Sequence, residues 1–171
     1  MNGSNWRRAR IVLAGTVLAV SSIATTVAPV LADPPNAIID NGTVQLGVWA
    51  QGHLNVPGGA PSLNGETTVG LRYMATTAEA TADGCTCEGW GAADAISGVT
   101  GYANDADGGA VNINVQSFTT TASTAVSIVT IGDIETPTLR VTHDYHPSAA
   151  TPYLYEVTVT IENVSDAALD A

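Results

Sequence analysis

The residues best equipped for chemistry stand close together: Cys85, Cys87, Glu88 and Trp90 fall within the run GCTCEGWGAAD. In an oxidising compartment the two cysteines can close a disulfide, and one intervening residue makes it a strained clip on its own loop rather than a long-range staple. They can equally stay as thiols or act as metal ligands, although two thiolates alone do not make a zinc site, which usually takes four ligands. A tryptophan beside a carboxylate also suits a sugar, because the indole offers an apolar platform while Glu88 accepts hydrogen bonds from hydroxyls. The competing reading has Trp90 folded inward as a cap on the core and Glu88 merely solvated; a lone tryptophan more often fills the end of a core than binds anything.

His143 and His146 flank Asp144 and Tyr145, a cluster that invites a metal. On an extended strand, residues three apart point to opposite faces, so the two rings do not converge and the structural reading is preferred. Asn104, Asp105 and Asp107 could offer oxygens to calcium, yet the alternating acids of a calcium loop and its terminal bidentate glutamate are absent. Turn chemistry accounts for them. Glu88 and Asp94 cannot be paired as glycosidase carboxylates from sequence, since that pair is defined by its separation in space. No nucleophile elbow, phosphate loop or dinucleotide fingerprint occurs, so no catalytic residue, metal or cofactor is expected.

The elements that must position these residues are strands. Tyr153, Tyr155, Val157, Val159 and Ile161 alternate with polar residues, as do Leu139, Val141, His143 and Tyr145 before them, and period two is the mark of a strand with one buried face. Pro147 and Pro152 bracket the loop between, which predicts a hairpin. Its expected register sets Tyr145 opposite Tyr153 and Val141 opposite Val157, because a shift of two would put Asp144 against Glu156. Further strands are predicted at 43–49, at 67–74 with Val69, Leu71 and Tyr73 on one face, at 95–103, at 110–118 and at 124–131. Residues 52–65 read as a long turn region and 75–94 as a long surface loop. About seven short antiparallel strands and no helical period predict an all-β sandwich.

Residues 1–32 have the layout of a secretory signal peptide: Arg7, Arg8 and Arg10 precede an uncharged run that ends Val30-Leu31-Ala32. The arginine pair suggests a twin-arginine signal, but Trp6 and Arg10 fit that pattern poorly, and the general secretory route is preferred. The run is long enough to span a membrane, yet its serines, threonines and Pro29 make a poor anchor. Cleavage after Ala32 takes 32 of the 171 residues and leaves 139, one domain: a linker at 33–42 and a sandwich at 43–171 whose last strand lacks a covering partner, as in an incomplete domain. The mature part holds two arginines, no lysine and all 16 acids, a formal charge of −14. That balance excludes nucleic acid and anionic membrane as partners, and it suits a protein secreted or held at the cell surface.

Together GCTCEGWGAAD, GYAN with the following GG, SFTTTASTAVS and the hairpin LRVTHDYHPSAATPYLYEVTVTIEN resemble uncharacterised exported bacterial β-sandwich proteins over most of the mature chain. Members of that group continue past this hairpin. VTVTIENVSDAAL is also similar to a strand and turn in the sandwich domains of mutarotase-like and glycoside-hydrolase proteins. The expectation is a secreted, non-catalytic surface or binding module facing extracellular polysaccharide or a cell-surface component. The alternative, implied by the second likeness, is the sandwich part of a carbohydrate-active enzyme with catalytic residues beyond Ala171.

Overall fold

Period-two alternation becomes a stable strand only where a second layer covers the apolar face, and three sheets supply those layers here. The computed structural model describes residues 35–82, 88–104 and 109–166, all within the unit Ala32–Ala171. The segment 1–32, Cys85, Cys87 and residues 105–107 of the expected hairpin turn fall outside the described residues, so the disulfide, the signal peptide and that turn stay expectations. Among the described residues the chain is all-β and forms β1 (Asn36–Asp40), β2 (Val44–Trp49), β3 (Leu71–Tyr73), β4 (Ala78–Glu79), β5 (Trp90–Ala93) and β6 (Thr100–Asn104). It continues as β7 (Gly109–Val111), β8 (Ile113–Thr120), β9 (Ala125–Gly132), β10 (Pro137–Pro147) and β11 (Tyr155–Asn163).

The long strands make one sheet, ordered β11-β10-β9-β8, while β1-β2-β3-β4 and β5-β6-β7 make two smaller ones. All pairings are antiparallel. Ala125, Ser127, Val129 and Ile131 of β9 face the same way as Leu139, Val141, His143 and Tyr145 of β10, and this face is buried. At one end Ala125 and Tyr145 pack on Ile39, Leu46 and Val48 of the first small sheet. At the other, Val129, Ile131, Leu139 and Val141 pack on Trp90, Ala92, Val99 and Ile113. The result is a β-sandwich in which one long sheet is covered by two short ones. Gly101 lets β6 approach that closely: a Cβ there would stand 2.8 Å from a methyl of Ile131. Gly47 does the same where β2 passes the Val69 carbonyl, which a Cβ would meet at 2.0 Å.

Several expectations need correction. Within the expected linker 33–42, Asn36–Asp40 is a strand that pairs with β2 and buries Ile39 against the core. Its brevity and the preceding prolines hid a strand that only pairing with β2 stabilises. The strand expected at 67–74 shrinks to Leu71–Tyr73; of its expected inner face Val69 is buried and Leu71 packs on the core, but Tyr73 is exposed and Arg72 on the other face is buried. The loop expected at 75–94 contains β4 and β5, and the strand count exceeds seven. In the hairpin, Tyr145 faces Val157 and Val141 faces Ile161, four residues away from the expected register. Asp144 still avoids Glu156, being opposite Thr158. The loop is longer than the proline bracket implied: the last strand pair is Pro147↔Tyr155, Ser148 N–H bonds the Leu154 carbonyl one step beyond it, and Asn41 donates to the Pro152 carbonyl.

Arg72 explains how the stretch between β2 and β3 is ordered. Its guanidinium donates to the carbonyls of Ala60, Glu66 (3.2 Å) and Thr68 (2.8 Å) and pairs with Glu79 at 3.3 Å, with both side chains buried. The Glu79 carboxylate in turn accepts from the backbone N–H groups of Leu71 (2.9 Å) and Thr81 (3.2 Å). A buried charge is tolerated when it is paired and fully hydrogen-bonded, and here that network fastens the loop onto β3 and β4.

Candidate functional site

Trp90 opens β5, and that strand carries its ring toward the long sheet. The indole is half-buried, its Nε1–H donates to the Gln51 carbonyl at 2.8 Å, and its ring centroid lies 4.5 Å from that of His143. Glu88, two residues earlier, is exposed, and its backbone carbonyl accepts from Leu54 N–H at 3.1 Å. The indole's one donor is therefore engaged within the protein, and much of its face lies on protein rather than solvent.

His143 is the unexpected centre of this region. It sits on the inward face of β10, opposite Ser127, where the two short sheets meet. The turn Ala50–Gly52 closes over it: Ser127 Oγ donates to the Ala50 carbonyl at 2.6 Å and Tyr145 Oη donates to the Gly52 carbonyl at 2.8 Å. Gly52 is required there, with φ of 81° and a Cβ position 2.6 Å from His143 Nδ1. Trp49 and His53, which flank that turn in sequence, stack on each other with ring centroids 5.6 Å apart. His146 lies half-buried on the opposite face, its Nδ1 3.2 Å from the Pro147 carbonyl, so the two histidines diverge as strand parity requires. Asp94 is buried in the turn after β5, where bonds from Ser97 and Ile96 hold its pKa below the ordinary carboxylate value.

Burial pushes the His143 pKa down to about 4, and its Nδ1 has no protein hydrogen-bond partner. Because the unfolded chain titrates near 6.5, the folded state binds fewer protons between the two values. The stability contributed by the neutral ring is complete above about pH 6.5 and is lost as pH falls toward 4. The loss amounts to about 3 kcal/mol at about 1.4 kcal/mol per pKa unit. Urea midpoints measured from pH 7.5 to 4 are expected to fall for the native chain, and the fall over this window to shrink in His143→Phe. Equal slopes in both would remove His143 as the cause.

A second location gathers exposed aromatics at one end of the sandwich. Tyr73 ends β3 and Tyr153 lies in the β10–β11 loop; their rings stand 6.0 Å apart, tilted at 54°, and are 37% and 57% exposed. Three connections hold them in place. Met74 N–H bonds the Thr43 carbonyl, Asn41 donates to the Pro152 carbonyl at 3.0 Å, and Tyr153 N–H bonds Thr151 Oγ1 at 3.3 Å. On one side of the pair a groove of about 300 Å³ is floored by Val44, Leu71 and Ala78, and Glu79 in its wall is committed to Arg72. On the other a more polar hollow of about 400 Å³ is bordered by Gly42, Thr43, Met74 and Ala75.

The arrangement is apolar surface with tyrosine hydroxyls and backbone polar groups at its margins, the composition of a small-ligand site. Neither tyrosine was singled out by pattern, which placed both on a buried face. The available signal was position: each adjoins a turn, Tyr73 before Met74 and Tyr153 after Pro152, where a strand ends and its cover runs out. Among the described residues no group of three His, Cys, Asp or Glu side chains could hold a metal. No family model matches the chain, and neither a curated protein nor a solved structure does.

Proposed function

We propose that this chain is a non-catalytic binding module of an exported protein, secreted or held at the cell surface, and that it takes up a segment of extracellular polysaccharide or a cell-surface glycan at the Tyr73–Tyr153 pair. The observation that carries this is the exposed, tilted tyrosine pair, fixed by three loops beside an apolar groove. A pyranose ring presents an apolar face to one aromatic plane while its hydroxyls reach the margins of a groove. The acidic chain favours neutral or cationic glycans over acidic ones.

Affinity electrophoresis against a panel of soluble polysaccharides tests the proposal. Tyr73→Ala and Tyr153→Ala are each expected to weaken binding at least about tenfold, the loss of a modest aromatic anchor, with little change in melting temperature. Absence of binding to every glycan on the panel would count against it. Binding that survives both changes but disappears in Trp90→Ala at unchanged stability would move the site to Trp90 and Glu88.

A further inference from the structure

Among the described residues β11 is an edge strand, and that edge carries two features that rarely coincide in a well-covered sandwich. Its residues pair with β10 in the order Tyr145↔Val157, His143↔Val159 and Val141↔Ile161, which places the three β11 side chains on the same face as the core. The β10 members are buried, whereas Val157, Val159 and Ile161 are 47%, 48% and 53% exposed. The stripe runs into an apolar groove of about 170 Å³ lined by Leu46, Leu54, Leu71, Tyr145 and Tyr155.

Among the described residues β11 also has a ladder partner on one side only. Ser148 N–H bonds the Leu154 carbonyl and Val164 N–H bonds the Thr138 carbonyl, one pair at each end of the ladder. In an antiparallel ladder, hydrogen-bonded positions alternate, so the even-numbered residues of β11 turn their amides to β10. Tyr155, Val157, Val159 and Ile161 turn theirs outward. An edge with outward amides at these four positions and an apolar stripe is a template for another strand.

Charge selects the occupant. The far face of β11 carries Glu156 and Glu162, and Asp144 lies beside them on β10. Of the two basic residues in the described chain, Arg72 is buried on Glu79 and Arg140 is committed to Glu162 at 3.4 Å. A second copy paired about Val159 would set Glu156 against Glu162 twice, and every register joins two strongly acidic chains. We infer that β11 receives an extended segment of a partner protein in which apolar residues alternate with lysine or arginine, added as a fifth strand of the long sheet. Backbone bonds supply the affinity, the stripe reads the apolar positions, and the net negative charge of the far face, where only Arg140 opposes Glu156, Glu162 and Asp144, favours cations between them.

The probe is a capped synthetic peptide of sequence TVKVTVKVT, with TVEVTVEVT as its counterpart, titrated by fluorescence anisotropy against the full chain. The lysine peptide is expected to bind at least about tenfold more tightly than the glutamate peptide, and less tightly as salt is raised. Val159→Pro removes one outward N–H and none that β10 uses, so it is expected to weaken binding at least about tenfold at an unchanged melting temperature. Val157→Thr with Val159→Thr keeps every amide and removes the stripe, and is expected to weaken binding as well. Failure of the lysine peptide to bind, equal binding of both peptides, or binding unaffected by Val159→Pro and by the threonine pair would overturn the inference. So would a dimer in sedimentation velocity that Val159→Pro dissociates, which would give the edge to a second copy.

Discussion

Replacing Arg72 with methionine is expected to destabilise the fold by about 3 to 5 kcal/mol, the range for removing one partner of a buried ion pair. Methionine fills most of the volume, so the loss is chiefly electrostatic. The Glu79 carboxylate is left buried without its cation, and the carbonyls of Ala60, Glu66 and Thr68 lose their donor. Against a total stability of about 5 to 15 kcal/mol, that is a large share. Urea unfolding of Arg72→Met, Glu79→Gln and the double variant measures it. The double variant is expected to be less destabilised than the sum of the singles by more than about 1 kcal/mol, since either change already breaks the network. A loss below about 1 kcal/mol in Arg72→Met would show that solvent reaches the guanidinium and that the loop does not depend on it.

Trp90→Ala is expected to destabilise by about 3 kcal/mol, at the lower end for truncating a buried tryptophan because the ring is only half-buried. Three losses combine: the bond to the Gln51 carbonyl, the contact with His143 at 4.5 Å, and the packing beside Val129, Ile131, Leu139 and Val141. A second readout is independent of stability. Opening the space above His143 admits water, so its pKa is expected to climb from about 4 toward 6.5, which imidazole proton shifts report directly. An unchanged melting temperature together with lost glycan binding would instead make Trp90 the sugar platform, with Glu88 its hydrogen-bonding partner.

The strands legible in the sequence are those with many alternating positions. β2, β9, β10 and β11 each repeat the period often enough to be placed within a residue or two. β4 and β5 escaped because Ala, Glu and Gly carry no apolar alternation, and their strand state comes from pairing with β3 and β6. Arg72 escaped for a related reason. A charged residue between Leu71 and Tyr73 reads as solvent-facing until the carbonyls of a distant loop and Glu79 fold over it.

The candidate site divides in the same way. His143 was correctly separated from His146 by parity, a local property. Its place at the junction of three sheets, beneath Ala50–Gly52 and against Trp90, depends on contacts between residues roughly 40 to 90 positions apart. Tyr73 and Tyr153 belong to a groove for the same reason: two loops remote in sequence end at one place.

The amino-acid sequence by itself determined that this protein is an acidic all-β sandwich closed by a long hairpin, because side-chain parity and formal charge are set residue by residue and survive any arrangement of the strands. Register, burial of Arg72, depression of His143 and exposure of the tyrosines and the β11 stripe were decided only in the tertiary structure. Each depends on which surface covers which, and a strand pattern states that a face is apolar without stating what, if anything, lies over it.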